Sequence, residues 1–103
     1  MKLSLINKHA IVCGSTDGIG KASALLLAKQ GCEITLVARN QDKLDNTQSE
    51  LNTNHNQKHY SICADFDNSI DLKNKIKMHL DFLGRSVDVL VNNSGGPHGG
   101  PII

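Results

Sequence analysis

Three observations predict an α/β protein built on a doubly wound parallel sheet. Short apolar runs alternate with helix-forming segments along the 103 residues, which is the pattern of repeated β–α–β units. The predicted strands begin at residues 9, 33, 59 and 87, and this regular spacing suits parallel strands joined by right-handed crossovers. The first strand also leads into a glycine-rich turn. Only four strands fit, so we expect the N-terminal half of such a sheet, in the order 3-2-1-4.

Apolar and β-branched residues define the predicted strands, at residues 9–13, 33–38, 59–64 and 87–91. The first helix is predicted over residues 21–30 because that segment is rich in Ala and Leu. Gly31 follows it and suits the position after a helix end.

Capping residues place the other two helices. Asn40 can cap a mainly solvent-exposed helix over residues 41–52. A third helix is expected after Asp67 or Asn68, because apolar residues then recur at helical spacing until Gly84. The tail from residue 92 to 103 is rich in Gly and Pro and is predicted to be a loop.

Composition restricts the classes of function. The chain carries 11 Lys and Arg against 10 Asp and Glu, a net charge of +1, which gives no electrostatic case for binding nucleic acid or an anionic membrane. No apolar run is long enough to cross a bilayer. Three widely spaced cysteines favour neither a disulfide framework nor a metal site, and the histidines other than His98 are expected to be solvated or capping residues. We therefore expect a single cytoplasmic domain over residues 1–103.

The sharpest motif is Gly14-x-x-x-Gly18-x-Gly20, between the first strand and the first helix. A tight turn out of a strand requires residues that tolerate positive φ. The amide groups that open the following helix can then receive a phosphate, which the helix dipole also favours. The motif does not match the phosphate-binding loop of nucleotide triphosphatases, because Gly20-Lys21 is followed by Ala22. A compact turn with no ligand is the plain alternative.

The sequence resembles the short-chain dehydrogenase/reductase family. The family's Thr-Gly-x-x-x-Gly-Ile-Gly motif is matched from Gly14 to Gly20, with Cys13 in place of the Thr. Its Asn-Asn-Ala-Gly motif after strand four corresponds to residues 92–95, with Ser94 in place of the Ala. An Asp after strand three corresponds to Asp65. The resemblance implies a Rossmann-like fold and covers only the N-terminal part of the family's domain, in a subgroup often labelled 3-oxoacyl-acyl-carrier-protein reductase.

The resemblance also implies which residues contact a dinucleotide. Those expected around the pyrophosphate are Gly14, Ser15, Thr16, Gly18, Ile19 and Gly20. Those expected at the ribose 2′-phosphate are Arg39 and Asn40, and those on the adenine side are Asp65 and Phe66. Those expected near the ribose and nicotinamide are Asn92, Ser94 and Gly95.

Arg39 predicts NADP in preference to NAD. Sites for NAD usually carry an acid about 20 residues after the glycine motif, at the end of the second strand. Here that strand ends in Arg39 and Asn40, and a guanidinium offers a fixed fork of donors to a phosphate. Asp17 argues mildly against this assignment, because its negative charge would repel a 2′-phosphate.

The catalytic residues that the resemblance implies are missing. The family uses a Ser and a Tyr-x-x-x-Lys pair, in which the Tyr is the general acid and base. Tyr60 is the only tyrosine, and Ala64 stands four residues after it. We therefore expect the N-terminal fragment of a longer, homo-oligomeric reductase acting on a small carbonyl or hydroxyl substrate, and expect the fragment itself to be inactive. The alternative is a non-catalytic nucleotide-binding or interaction module that is complete at this length.

Overall fold

The computed structural model describes residues 5–14 and 16–92. The elements in chain order are β1 His9–Cys13, α1 Gly18–Lys29, β2 Glu33–Ala38, α2 Gln41–Glu50, β3 Tyr60–Cys63, α3 Ser69–Leu83 and β4 Val89–Asn92. The strands form one parallel sheet in the order β3-β2-β1-β4. The predicted fold class, strand order and alternation of strands and helices are confirmed.

The register of the sheet brings the carboxyl ends of its strands to one edge. Cys13, the last residue of β1, lies opposite Val37 of β2 and Asn92 of β4. Cys63 ends β3 opposite Ala38 of β2. The segments that follow these four strands therefore leave the sheet side by side, which is where doubly wound folds place their ligands.

Strands β1 and β2 form the centre of the core, with helices on both faces. Alternate residues of the two strands pack against α1 and α2, whose buried apolar side chains in this cluster are those of Ala24, Ala28 and Leu44. The opposite face, built around Ile11 and Val37, packs against α3. All five residues of β1 are buried, which is typical of a central parallel strand covered on both faces.

The ends of the helices differ in detail from the prediction. α1 begins at Gly18 rather than Lys21, so its first turn includes the last two glycines of the motif. Asn40 accepts a hydrogen bond from the amide of Lys43 at 3.0 Å and caps α2 as predicted. Asn68, not Asp67, caps α3.

Helix α3 is amphipathic but only partly covered. Leu72, Ile76 and Leu80 pack against the sheet, whereas Met78 and Phe82 are 70% and 83% exposed. Among the helices of the described residues, none combines the length and apolar character required to cross a membrane.

The solvated role expected for the histidines is wrong for His9. Its side chain is fully buried, with Nε2 hydrogen-bonded to Thr35 Oγ1 at 2.8 Å. The same hydroxyl is hydrogen-bonded to Nε2 of His79 on α3 at 2.9 Å. Burial lowers the pKa of both histidines, and for His79 the nearby charge of His9 lowers it further. The His9–Thr35–His79 network therefore joins α3 to the sheet through neutral rings.

This network predicts that the protein loses stability in mild acid. Unfolded histidine titrates near pH 6.5, whereas burial keeps the pKa of His9 and His79 below 6.5 in the folded chain. As the pH falls through about 6.5 the unfolded chain binds more protons than the folded one, so the free energy of unfolding decreases. Urea unfolding at about pH 7.5, 6.5 and 5.5 measures this loss.

His79→Gln should reduce that pH dependence, because it removes one of the two rings whose pKa is lowered in the folded chain. His55→Gln is the matched control, since His55 is exposed on the loop before β3. If stability depended equally on pH in both variants, the loss in mild acid could not be assigned to the His9–Thr35–His79 network.

Substitution by alanine should lower the free energy of unfolding by different amounts at Gly31 and Gly84. Gly31 has a φ of +99°, and a Cβ there would lie 2.6 Å from Cγ1 of Ile6 and 3.3 Å from its Cα. Gly84 has a φ of +67°, and a Cβ there would meet nothing within 4 Å. Gly84→Ala should lower the free energy of unfolding by about 1 kcal/mol, through the strain of a left-handed backbone alone. Gly31→Ala adds overpacking and should cost roughly 2–4 kcal/mol. Urea unfolding of both variants tests the difference, and equal losses would contradict it.

Candidate functional site

A cleft of about 720 Å³ opens at the carboxyl edge of the sheet, between the ends of β1, β2 and β3. Its walls come from the glycine-rich turn, the β2–α2 junction and the segment after β3. The residues that line it are Gly14, Thr16, Asp17, Gly18, Ala38, Arg39, Asn40, Lys43, Phe66 and Asp67. The cleft therefore brings together six of the residues that the sequence assigns to a dinucleotide.

Two glycines of the motif adopt the backbone conformation that the turn requires. Gly14 has a φ of +70° and Gly18 a φ of +57°, a region that residues with a Cβ rarely occupy. The amide of Gly14 donates a hydrogen bond to the carbonyl of Val37 at 2.9 Å, so the turn leaves β1 directly beside the end of β2. A Cβ on Gly18 would meet nothing within 4 Å, and the space beside the turn is open.

The amino end of α1 has the character of an anion site. Asp17 occupies the N-cap position, but its side chain makes no capping hydrogen bond. The first amides of a helix lack partners within the helix and carry a partial positive charge. Since Asp17 and Gly18 both line the cleft, this end of the helix is open to a phosphate group, and the residues present fit a dinucleotide's pyrophosphate. Ser15, also predicted there, lies outside the described residues.

The end of β2 supplies the cationic wall. Arg39 is exposed, and within residues 5–14 and 16–92 its guanidinium takes part in no ion pair. Asn40 lines the cleft beside it, although its side-chain oxygen is occupied by the cap of α2. Arg39 therefore stands at the cleft with its hydrogen-bond donors available, as a 2′-phosphate site requires.

The structure adds a second cation that the sequence analysis missed. Lys43 lies in the first turn of α2, and its Nζ is 3.3 Å from Oδ2 of Asp17 on the far side of the cleft. Ala38 and Asp67 also line the cleft and were not predicted. A signal for Lys43 was present in its position three residues after the cap Asn40, because the first turn of that helix starts at the carboxyl edge of the sheet.

The third wall follows β3. Phe66 lines the cleft and is half-buried against the core on the α3 face. Asp65 does not line it; its Oδ1 accepts a hydrogen bond from the amide of Asp67 at 2.9 Å. Asp65 thus shapes the turn that leads into α3, and its predicted contact with adenine stays a prediction.

Other predicted residues lie around the cleft rather than in its lining. Ile19 is 74% exposed, whereas Gly20 is buried where α1 packs on the sheet. Asn92 is exposed at the end of β4, next to Cys13. Ser94 and Gly95 lie outside the described residues. Whether these residues contact a cofactor also stays a prediction.

The described residues offer few groups for other chemistry. Burial raises the pKa of the Cys13 thiol to about 11, so at neutral pH it is not the thiolate that a nucleophilic cysteine requires. Tyr60 begins β3 at the opposite edge of the sheet, edge-on to the ring of His79 at 5.1 Å. Throughout residues 5–14 and 16–92, no group of three or more His, Cys, Asp or Glu side chains is arranged to hold a metal ion.

Comparison with known proteins gives a consistent family. The family model "short chain dehydrogenase" matches residues 8–103. The very-long-chain 3-oxoacyl-CoA reductase of Bos taurus is 44% identical over 90 residues, which are 87% of this chain and 28% of that protein. Very-long-chain 3-oxoacyl-CoA reductase-B of Danio rerio is 42% identical over 95 residues, or 92% of this chain and 30% of that protein.

A solved structure shares the architecture. L-sorbose reductase from Gluconobacter frateurii, complexed with NADPH and L-sorbose, matches with a TM-score of 0.81 and 29% identity, over 99% of this chain and 38% of that one. The chain spans less than a third of the length of the two 3-oxoacyl-CoA reductases named above. On its glycine motif, its strand order and these matches, the chain belongs to the short-chain dehydrogenase/reductase family.

Proposed function

We propose that this chain is the N-terminal, cofactor-binding part of a longer oxidoreductase that uses NADP(H). One juxtaposition carries the proposal: the Gly14–Gly18 turn and the guanidinium-bearing Arg39 line the same cleft at the carboxyl edge of the sheet. The first suits a pyrophosphate, and the second suits the phosphate that distinguishes NADP from NAD. The NADPH in the L-sorbose reductase complex supports the choice of cofactor class.

The chain's own residues would hold the adenosine half of the cofactor. The amides that open α1 would receive the pyrophosphate, and Thr16 lies beside them in the cleft lining. Arg39 and Asn40 would face the 2′-phosphate, and Phe66 would offer an apolar surface to the adenine. Asn92 stands at the end of β4, next to β1, and would lie toward the ribose and nicotinamide with Ser94 and Gly95.

The names of the relatives favour a 3-oxoacyl thioester as the substrate of the complete protein. Bound NADPH would supply a hydride to the carbonyl carbon and leave as NADP⁺, and a proton on the carbonyl oxygen would complete the alcohol. A coenzyme A carrier matches the relatives' names, while an acyl-carrier protein matches the subgroup that the tail of the sequence resembles. Both carriers present the same 3-oxoacyl group, and assays with each carrier distinguish them.

The acid and base of the reaction would come from outside this chain. The sequence contains no Tyr-x-x-x-Lys, and Tyr60 lies at the edge of the sheet opposite the cleft. The same absence favours a second candidate, a nucleotide-binding module without catalysis. The coding sequence downstream of Ile103 separates the two candidates, because a Ser followed by Tyr-x-x-x-Lys there supports the enzyme and a stop codon supports the module.

Arg39→Ala should weaken NADPH binding by about ten- to a hundredfold, because a charge-assisted hydrogen bond contributes about 1.5–3 kcal/mol. Binding of NADH, which lacks the 2′-phosphate, should change by less than about threefold. Calorimetric titration of the purified chain with each dinucleotide measures both affinities.

Lys29→Ala is the matched control for Arg39→Ala. It removes one positive charge at the opposite end of α1, so it lowers the general attraction for a polyanion without touching the cleft. If the unmodified chain bound neither dinucleotide at millimolar concentration, the proposed function would be wrong. If it bound both and Arg39→Ala weakened them equally, only the assignment of the 2′-phosphate to Arg39 would fail.

A further inference from the structure

We propose that Lys43 is a second specificity residue for the 2′-phosphate, and that Asp17 is a counter-ion that this phosphate displaces. The inference rests on the proposed binding of NADP(H) and names a residue of that site which the sequence analysis did not assign to it. It is carried by one contact, the ion pair between Lys43 and Asp17 at 3.3 Å within the lining of the cleft.

The position of Lys43 is held by backbone structure. Asn40 Oδ1 accepts a hydrogen bond from the Lys43 amide at 3.0 Å, which fixes the first turn of α2. Arg39 precedes that cap directly, so both cations belong to one short segment whose residues line the cleft. A phosphate beside Arg39 would thus lie within reach of the flexible Lys43 side chain.

Stability does not account for a lysine at this position. The amino end of a helix disfavours positive charge, because the helix dipole is positive there. The partners of the ion pair are 55% and 76% exposed in their side chains, and ion pairs in such surroundings contribute little to folding. The residue is therefore better explained by a ligand than by the fold.

The same exposure makes the pair exchangeable. Asp17 carries one negative charge, whereas a phosphate monoester carries nearly two at neutral pH and offers three acceptor oxygens. The ammonium of Lys43 should therefore leave the carboxylate for the 2′-phosphate of NADP(H) and remain with Asp17 when NAD(H) is bound. The carboxylate that the ammonium leaves still repels the 2′-phosphate, so Asp17 lowers the affinity that Arg39 and Lys43 provide.

The test compares adenosine 2′,5′-bisphosphate with AMP, and NADPH with NADH, by calorimetric titration of the full chain. Lys43→Gln should weaken the two ligands that carry a 2′-phosphate by about five- to tenfold and leave AMP and NADH within about twofold. Lys77→Gln is the matched control, because Lys77 is exposed on α3 and does not line the cleft. Thermal unfolding checks that each variant remains folded.

Asp17→Asn tests the counter-ion. Removing the carboxylate should tighten all four ligands through lower repulsion, and it should further raise the ratio of NADPH to NADH affinity by about two- to threefold. In the Lys43→Gln background the gain in the ratio should be smaller, since only the repulsion between Asp17 and the 2′-phosphate is then removed and no ammonium is left to release.

The outcomes separate this inference from the proposed function. If the unmodified chain prefers NADPH and Lys43→Gln leaves the NADPH-to-NADH ratio unchanged, the role of Lys43 is wrong while the cofactor assignment stands. If Asp17→Asn changes the ratio equally with and without Lys43, the counter-ion role is wrong. If the unmodified chain binds none of the four ligands, the proposed function fails first.

Discussion

The parallel pairing of β1 with β2 and β4 is the constraint on which the rest of the structure depends. β1 is buried along its whole length, and a slip of one residue would exchange the side chains that pack on the α1 and α2 face with those that pack on the α3 face. In the observed register Cys13 lies beside Val37, and the hydrogen bond from the Gly14 amide to the Val37 carbonyl continues the ladder by one step. The glycine turn consequently meets the β2–α2 junction, and the cleft forms between them.

Local arrangement of charge, rather than net charge, suits this cleft to an anionic ligand. The chain has a net charge of only +1, and the cleft lining contains Asp17 and Asp67 as well as Arg39 and Lys43. Asp17 and Lys43 are paired across it, which leaves the guanidinium of Arg39 and the amides at the start of α1 as the positive groups. An almost neutral protein can thus present a directional site for phosphates.

The candidate site and the buried polar contacts lie at opposite edges of the sheet. The carboxyl edge carries glycines, exposed charges and the open cleft, whereas the amino half carries the buried His9–Thr35–His79 network and Tyr60. The main chain of His9 is also tied to Asp88 just before β4, whose Oδ2 accepts from the His9 amide at 2.9 Å. These contacts attach α3 and β4 to the sheet at a distance from the cleft, so a ligand can enter without breaking them.

The sequence by itself determined the fold class, the strand order and the conformation of the glycine turn. Those features depend on local signals: the alternation of apolar and helical segments, the need for positive φ at Gly14 and Gly18, and the capping residue Asn40. Arg39 was predictable for the same reason, because it stands at a fixed distance along the chain from the glycine motif.

Only the tertiary structure decided which side chains meet across the cleft. The pairing of Lys43 with Asp17 joins residues 26 positions apart, and it exists because two different crossovers begin at one edge of the sheet. The same reason explains His9. A histidine at the start of a strand is predicted to be solvated, and its burial depends on Thr35 of β2 and His79 of α3, which are distant in the sequence. Sequence pattern reports local propensity and periodicity, whereas contacts between distant segments depend on how the packed elements meet in space.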